Sequence, residues 1–124
     1  MYCSKGVETM SAVDILPELA IEKSTYVIIV TFTDEDGDAL TPNEVNWDLT
    51  NLSGGEINSR TGVSVTPASS VNIVLSGDDL AIYATGDSEM RELTVYGTYN
   101  SSYGNNLPYK AAVKFGIINL VAVT

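Results

Sequence analysis

The sequence predicts an all-β chain, built as a two-sheet antiparallel sandwich, with an antiparallel barrel as the alternative way of closing the same strands. Three observations carry that reading. Stretch after stretch places apolar side chains at every second position, the period of a strand with one wet face. Turn residues separate these stretches at short intervals. No stretch keeps a helical period long enough for a substantial helix.

The clearest alternation lies between Ser24 and Leu49. Tyr26, Ile28, Val30 and Phe32 are apolar at every second position, and Val45, Trp47 and Leu49 share one face of a later run whose other face is Asn46, Asp48 and Thr50. This reads as two buried strands joined by an acidic turn. Asp36-Gly37 supplies the positive-φ step that a hairpin turn needs. Asp34, Glu35, Asp36 and Asp38 also resemble a calcium loop, but the helical loop alternates its oxygen ligands with Gly sixth and Glu twelfth, a spacing not kept here. A solvated turn is the expectation, and a weak calcium site at Asp34, Asp36 and Asp38 is the alternative.

Upstream, residues 1–16 show no useful periodicity and read as a flexible arm, with Met10 as an alternative start; residues 17–124 form the domain. Glu18–Ser24 alternates Leu19, Ile21 and Lys23 with Glu18, Ala20 and Glu22, as an edge strand with a charged outer face would. Downstream, Asn51–Gly55 is turn chemistry, and Glu56–Arg60 reads as the return strand of a hairpin with Ile57 inward. Val63 and Val65 alternate next, and Val71–Leu75 turns Val71, Ile73 and Leu75 one way. Asp78–Ala81 reads as one helical turn, capped by Ser76 or Asp78, that drops Leu80 into the core. Asp79 and Tyr83, with Ala81 between them, echo a spacing found near the sixth strand of immunoglobulin domains.

Arg91–Tyr99 and Tyr109–Ile117 read as paired strands. The first turns Leu93, Val95, Gly97 and Tyr99 inward; the second turns in Ala111, Val113, Phe115 and Ile117. A longer hairpin loop, Asn100–Pro108, joins them. A β-bulge near Gly116 is expected to reset the facing of the apolar end, Ile118–Thr124. The total is about seven to nine short strands, which favours a sandwich of immunoglobulin type. Its core is expected from Trp47, Ile28, Val30, Phe32, Leu49, Ile73, Val95, Val113 and Phe115.

The chain has 124 residues, enough for one domain with a core that needs no staple. Sixteen Asp and Glu against six Lys and Arg give a formal charge of −10, which makes nucleic acid and anionic membrane poor partners and suits equally solubility at high local concentration or docking on a basic protein surface. There is no histidine, and Cys3 is the only cysteine. Zinc sites made of Cys and His, and catalytic triads that need imidazole, are therefore excluded. No run of about 18 apolar residues suits a membrane helix, and the N-terminus lacks the basic-then-apolar order of a secretory signal. Neither Asp78 and Asp79 nor the Asp34–Asp38 cluster has an adjacent group that would tune it for acid–base work. No catalytic or cofactor-binding residue is expected.

Two features suit binding. The loop around Tyr103 and Asn105 mixes Ser, Gly and Asn about an aromatic residue, as antibody loops do. The apolar end, with Ile118, Leu120, Val121 and Val123, is either buried in its own sheet or paired with another chain.

The succession VIIVTFTDEDGDALTPNEVNWDLTN, then PASSVNIVLSGDDLAI, then RELTVYGTYNSSYGNNLPYKAAVKFGI resembles small immunoglobulin-like proteins encoded among the structural genes of tailed bacteriophages. More loosely, it is similar to the bacterial immunoglobulin-like repeats of surface adhesins. The resemblance covers roughly residues 18–118 and lies in the fold and its turns rather than in a site. It implies a non-enzymatic virion protein, either head decoration or a neck or tail component, that contacts other virion proteins and can form a homo-oligomer. A host-surface or glycan-binding module is the alternative.

Overall fold

The computed structural model describes residues 13–15, 19–82 and 88–119, the first three through their backbone alone. The described chain is all-β. In order, its strands are β1 (Val13–Ile15), β2 (Ala20–Ile21), β3 (Thr25–Thr31), β4 (Glu44–Thr50), β5 (Val63–Val65), β6 (Ser70–Ser76), β7 (Ser88–Ser101) and β8 (Gly104–Ile118). A single 3-10 turn, Gly77–Leu80, follows β6.

The layers are unequal. The larger sheet runs β1-β8-β7-β4-β5, with β2 also on β8, and it curls through part of a barrel without closing. It is mixed, because β1 and β2 run parallel to β8 while its other pairs are antiparallel. The smaller layer is the ribbon β3–β6 alone.

The core lies between the layers and holds all nine residues expected there. Tyr26 of β3 stacks on Phe115 of β8 at 5.0 Å between ring centroids, and Phe32, just past β3, meets Tyr109 edge-on at 5.5 Å. Removing side chains of this size from water stabilises the fold by about 1.5–3 kcal/mol each. At the end where β4 pairs with β7 the backbones lie so close that a Cβ on Gly97 would come within 2.2 Å of the Glu44 carbonyl oxygen. Only glycine fits there.

Several expectations need correction. β3 and β4 are not partners, since β3 pairs with β6 and β4 with β5 and β7. Alternation records which face of a strand is wet, not which strand lies beside it. In β2 the buried residue is Ala20, whereas Leu19 is exposed. Glu56–Arg60 makes one bridge, Thr50↔Glu56, and then turns through Asn58 and Ser59 at positive φ, although Ile57 does point inward. No bulge occurs at Gly116; the one register shift between β7 and β8 falls beside Tyr99 and Ser101. The stretch Asn100–Pro108 is mostly ladder, with only Ser102 and Tyr103 between the strands. Val13–Ile15, inside the expected arm, forms β1, while the rest of residues 1–16 and Tyr83 lie outside the described residues.

Candidate functional site: the hairpin tip and the acidic turn

One end of the molecule is built by two segments far apart in sequence. The first is the turn after β3. Asp34 Oδ1 accepts the Asp36 and Asp38 amides, both at 2.9 Å, and Gly37, at φ +85°, donates its amide to the Asp34 carbonyl. A short aspartate side chain that mimics the backbone in this way closes a tight turn. The bridge Thr33↔Ala39 ties its base.

The second segment is the tip of the β7–β8 hairpin. Tyr103 stands 71% exposed on it, and its amide donates to Ser101 Oγ at 3.1 Å. An extra residue on the β8 side shifts the register from Tyr99↔Leu107 to Ser101↔Gly104. Asn106 absorbs that shift at φ +53°, a conformation in which asparagine is among the least penalised side chains.

Side chains lock the two segments together. Tyr99 Oη donates to Glu35 Oε2 at 2.6 Å, and Ser101 Oγ reaches the same oxygen at 3.4 Å. The hydrogen bond holds the Glu35 carboxyl below its ordinary range and, together with burial, pushes the Tyr99 phenol up to about 12. Three asparagines form a second lock. Asn43 Nδ2 donates to Asn100 Oδ1 at 3.0 Å and to Asn106 Oδ1 at 3.2 Å, and the Asn106 amide donates to Asn100 Oδ1 at 2.8 Å. The segments that build this end, residues 24–59 and 92–109, contain no lysine or arginine. Its carboxylates therefore have no lysine or arginine within these segments to offset them around the aromatic tip.

The structure thus puts Tyr103 and Asn105 on the tip, both exposed. Asp34, Asp36 and Asp38 are not drawn into a ligand set, and among the described residues no three His, Cys, Asp or Glu side chains converge as metal ligands. Ile118 lies far along β8, half-buried beside an open groove of about 680 Å³ lined in part by Leu19, Leu52, Met90 and Ile117. Leu120, Val121 and Val123 lie outside the described residues.

Two buried polar groups escaped the sequence reading. Asp79 is fully buried, and its carboxylate accepts Arg60 Nε and Asn58 Nδ2 at 2.9 Å and the Ser76 amide at 3.1 Å. Burial pushes its pKa up, but these hydrogen bonds and the Arg60 charge outweigh that and leave it lowered. Arg60 also lies over the Trp47 ring, 5.9 Å from its centroid. Arg91, likewise fully buried, donates to Glu89 and to the Ala81 carbonyl. Its signal was in the sequence, because Arg91 is in phase with inward Leu93 and Val95. Asp79 showed only its spacing from Tyr83, since Arg60 sits 19 residues away.

Compared with family models, curated proteins and solved structures, the chain matches none.

Proposed function

We propose that this chain is a non-enzymatic, immunoglobulin-like structural or accessory protein of a tailed-phage particle, held at head, neck or tail by contacts with other virion proteins. The immunoglobulin reading is supported by strand order. The run β5-β4-β7-β8 opposite β3–β6 corresponds to the C′-C-F-G strands of a variable-type domain over its B–E pair. The smaller layer lacks the flanking strands of a full sandwich.

One observation carries the functional reading: Tyr103 projects from a tip whose backbone is already fixed by the Glu35–Tyr99 and Asn43–Asn100–Asn106 hydrogen bonds. A contact surface ordered in advance loses little conformational freedom on docking, and a tyrosine buries much area for two torsions. The carboxylates around it, in segments without lysine or arginine, suit a cationic patch on a companion protein. Asp79, Arg60, Arg91 and Glu89 are engaged in holding loops to the core, which is structural work.

The test is to co-express the chain with the structural proteins of its phage, purify particles and measure its stoichiometry. Fixed copies per particle, reduced by Tyr103→Ala, are expected; absence from particles overturns the proposal. The same exposed tyrosine favours a second reading, a host-surface or glycan-binding module. That reading expects binding to cells or polysaccharide that Tyr103→Ala removes while incorporation into particles is unchanged.

A further inference from the structure

At the other end of β8 from the hairpin tip lies the open groove, which the attachment reading does not use. Gly116 lies on its floor, where a Cβ would stand 2.9 Å from Leu19 Cδ2 and 3.6 Å from Met90 Sδ, so the absence of a side chain keeps the floor low. Leu52 and Ile118 also line it, and Leu19 and Leu52 are each 51% exposed. Glu89, the charged residue of the described lining, is paired with Arg91. A concave apolar surface of this kind suits an uncharged apolar occupant.

We propose that the occupant is the chain's own next stretch, residues 120–123, folded back over the groove from Asn119. Three observations select it. The first is place. The described chain leaves β8 at Asn119, one residue beyond Ile118, which is itself part of the lining. A segment tethered this closely is present at an effective concentration on the order of millimolar, ahead of a partner in dilute solution.

The second is chemistry. Leu120, Val121, Ala122, Val123 and Thr124 carry no charge, and five residues reach up to roughly 17 Å, enough to lie along a groove of about 680 Å³. Other stretches fit less well. Residues 1–12 join β1 at Val13, level with Ala112 and away from the groove, and they include Lys5 and Glu8. The residues just before Ser88 are Thr85, Gly86 and Asp87, not an apolar run.

The third is an unmet hydrogen bond. Asn119 Oδ1 is buried and has no hydrogen-bond partner among the described residues. A buried acceptor left unpaired is costly. Asparagine commonly accepts the amide two residues on, which here is that of Val121, and the resulting turn reverses the chain toward the groove. On this reading the apolar end completes the fold, and attachment is left to the tip at the far end of the molecule.

Cross-linking of the full chain tests the proposal. In a Cys3→Ser background, Leu52→Cys is combined with Val121→Cys or with Val123→Cys, and the thiols are joined by a short bismaleimide. At least one pair is expected to close within a single chain of 13.2 kDa. Closure only between chains overturns the proposal, because a second copy would then fill the groove, and so does failure of both pairs to close. A second measurement does not depend on cross-linking. Leu52→Glu and removal of residues 120–124 should each lower the urea midpoint and raise the fluorescence of an apolar dye several-fold, and the two together should do no more than either alone. Fully additive effects overturn the proposal. Exchange of the Val121 amide should quicken several-fold in Asn119→Ala; equal exchange in the two proteins overturns the fold-back at Asn119.

Discussion

Asp79 and Glu35 are carboxylates that do opposite jobs. Each accepts hydrogen bonds from side chains distant in sequence, and each is held below its ordinary pKa. Asp79 is sealed under the loop that carries Asn58 and Arg60, with no exposed surface; Glu35 stands in water, on an exposed turn. A buried charge with good partners is costly to disturb, because whatever remains is left without water. An exposed one contributes little to stability and is open to a partner. Burial, rather than residue type or pairing, separates the part of this molecule that holds the fold from the part that is offered outward.

The sharpest way to break the comparison is Asp79→Ala. It removes the acceptor of Arg60, Asn58 and the Ser76 amide together; Arg60 is 40% exposed and regains water, so the loss comes from the stranded amide donors and is about 2 kcal/mol. Urea unfolding should show that loss as a lower midpoint. Its pH dependence follows from the lowered folded-state pKa. The stability Asp79 contributes is fully present above the unfolded-state value of about 4. It disappears as pH falls through the lower folded-state value. Wild type should therefore lose more stability than Asp79→Ala on acidification below pH of about 4. Equal acid sensitivity of the two proteins would mean that the buried carboxylate is not what links stability to pH.

At the hairpin tip, effects should be smaller. Asn106→Ala puts an ordinary side chain at φ +53° and removes an acceptor of Asn43, for a loss of about 1–2 kcal/mol. Asn106→Gly relieves the backbone and isolates the side-chain part, so the difference between the two variants measures the strain alone.

Tyr99→Phe is expected to change global stability less than either, because the ring keeps its edge-on contact with Tyr109 and only the bond to exposed Glu35 is lost. The local readout is stronger. In wild type the Tyr99 phenol should ionise near pH 12, and that step should vanish from the tyrosinate absorbance of the variant. Hydrogen exchange at the Asp36 and Asp38 amides should quicken as the turn loses its anchor. Unchanged exchange would show that Asp34 holds the turn without help from the hairpin.

How much of this was legible follows from what alternation encodes. Phe32, Trp47, Ile73 and Phe115 sit in the core as their phase required, because a period of two assigns a face without knowledge of neighbours. Neighbours were less visible. The acidic turn suggested a hairpin between β3 and β4, but those strands belong to different layers, and nothing local distinguishes a turn within a sheet from a crossing between sheets. The tip was underestimated as a strand because NSSYGNNLP is polar on both faces, so its ladder has no hydrophobic phase to announce it. Arg91 was legible by phase and was passed over by residue type. The side-chain bonds that tie distant segments in the asparagine lock and the Asp79 network span 19 to 63 residues, and no spacing within one segment records them.

The smallest expected change in stability is the most informative for function. Tyr103→Ala removes a large side chain that is 71% exposed, so the shift in unfolding free energy should lie within about 0.5 kcal/mol. The Asp34 turn, the Asn43 lock and the Glu35–Tyr99 bond do not use the Tyr103 ring, so their exchange protection should survive intact. Incorporation into particles should nevertheless fall. A variant that folds like wild type and attaches poorly separates offering a surface from holding a fold. If Tyr103→Ala instead destabilises the chain by as much as Asn106→Ala, the ring belongs to the lock, and the distinction drawn between Asp79 and the tip loses its clearest witness.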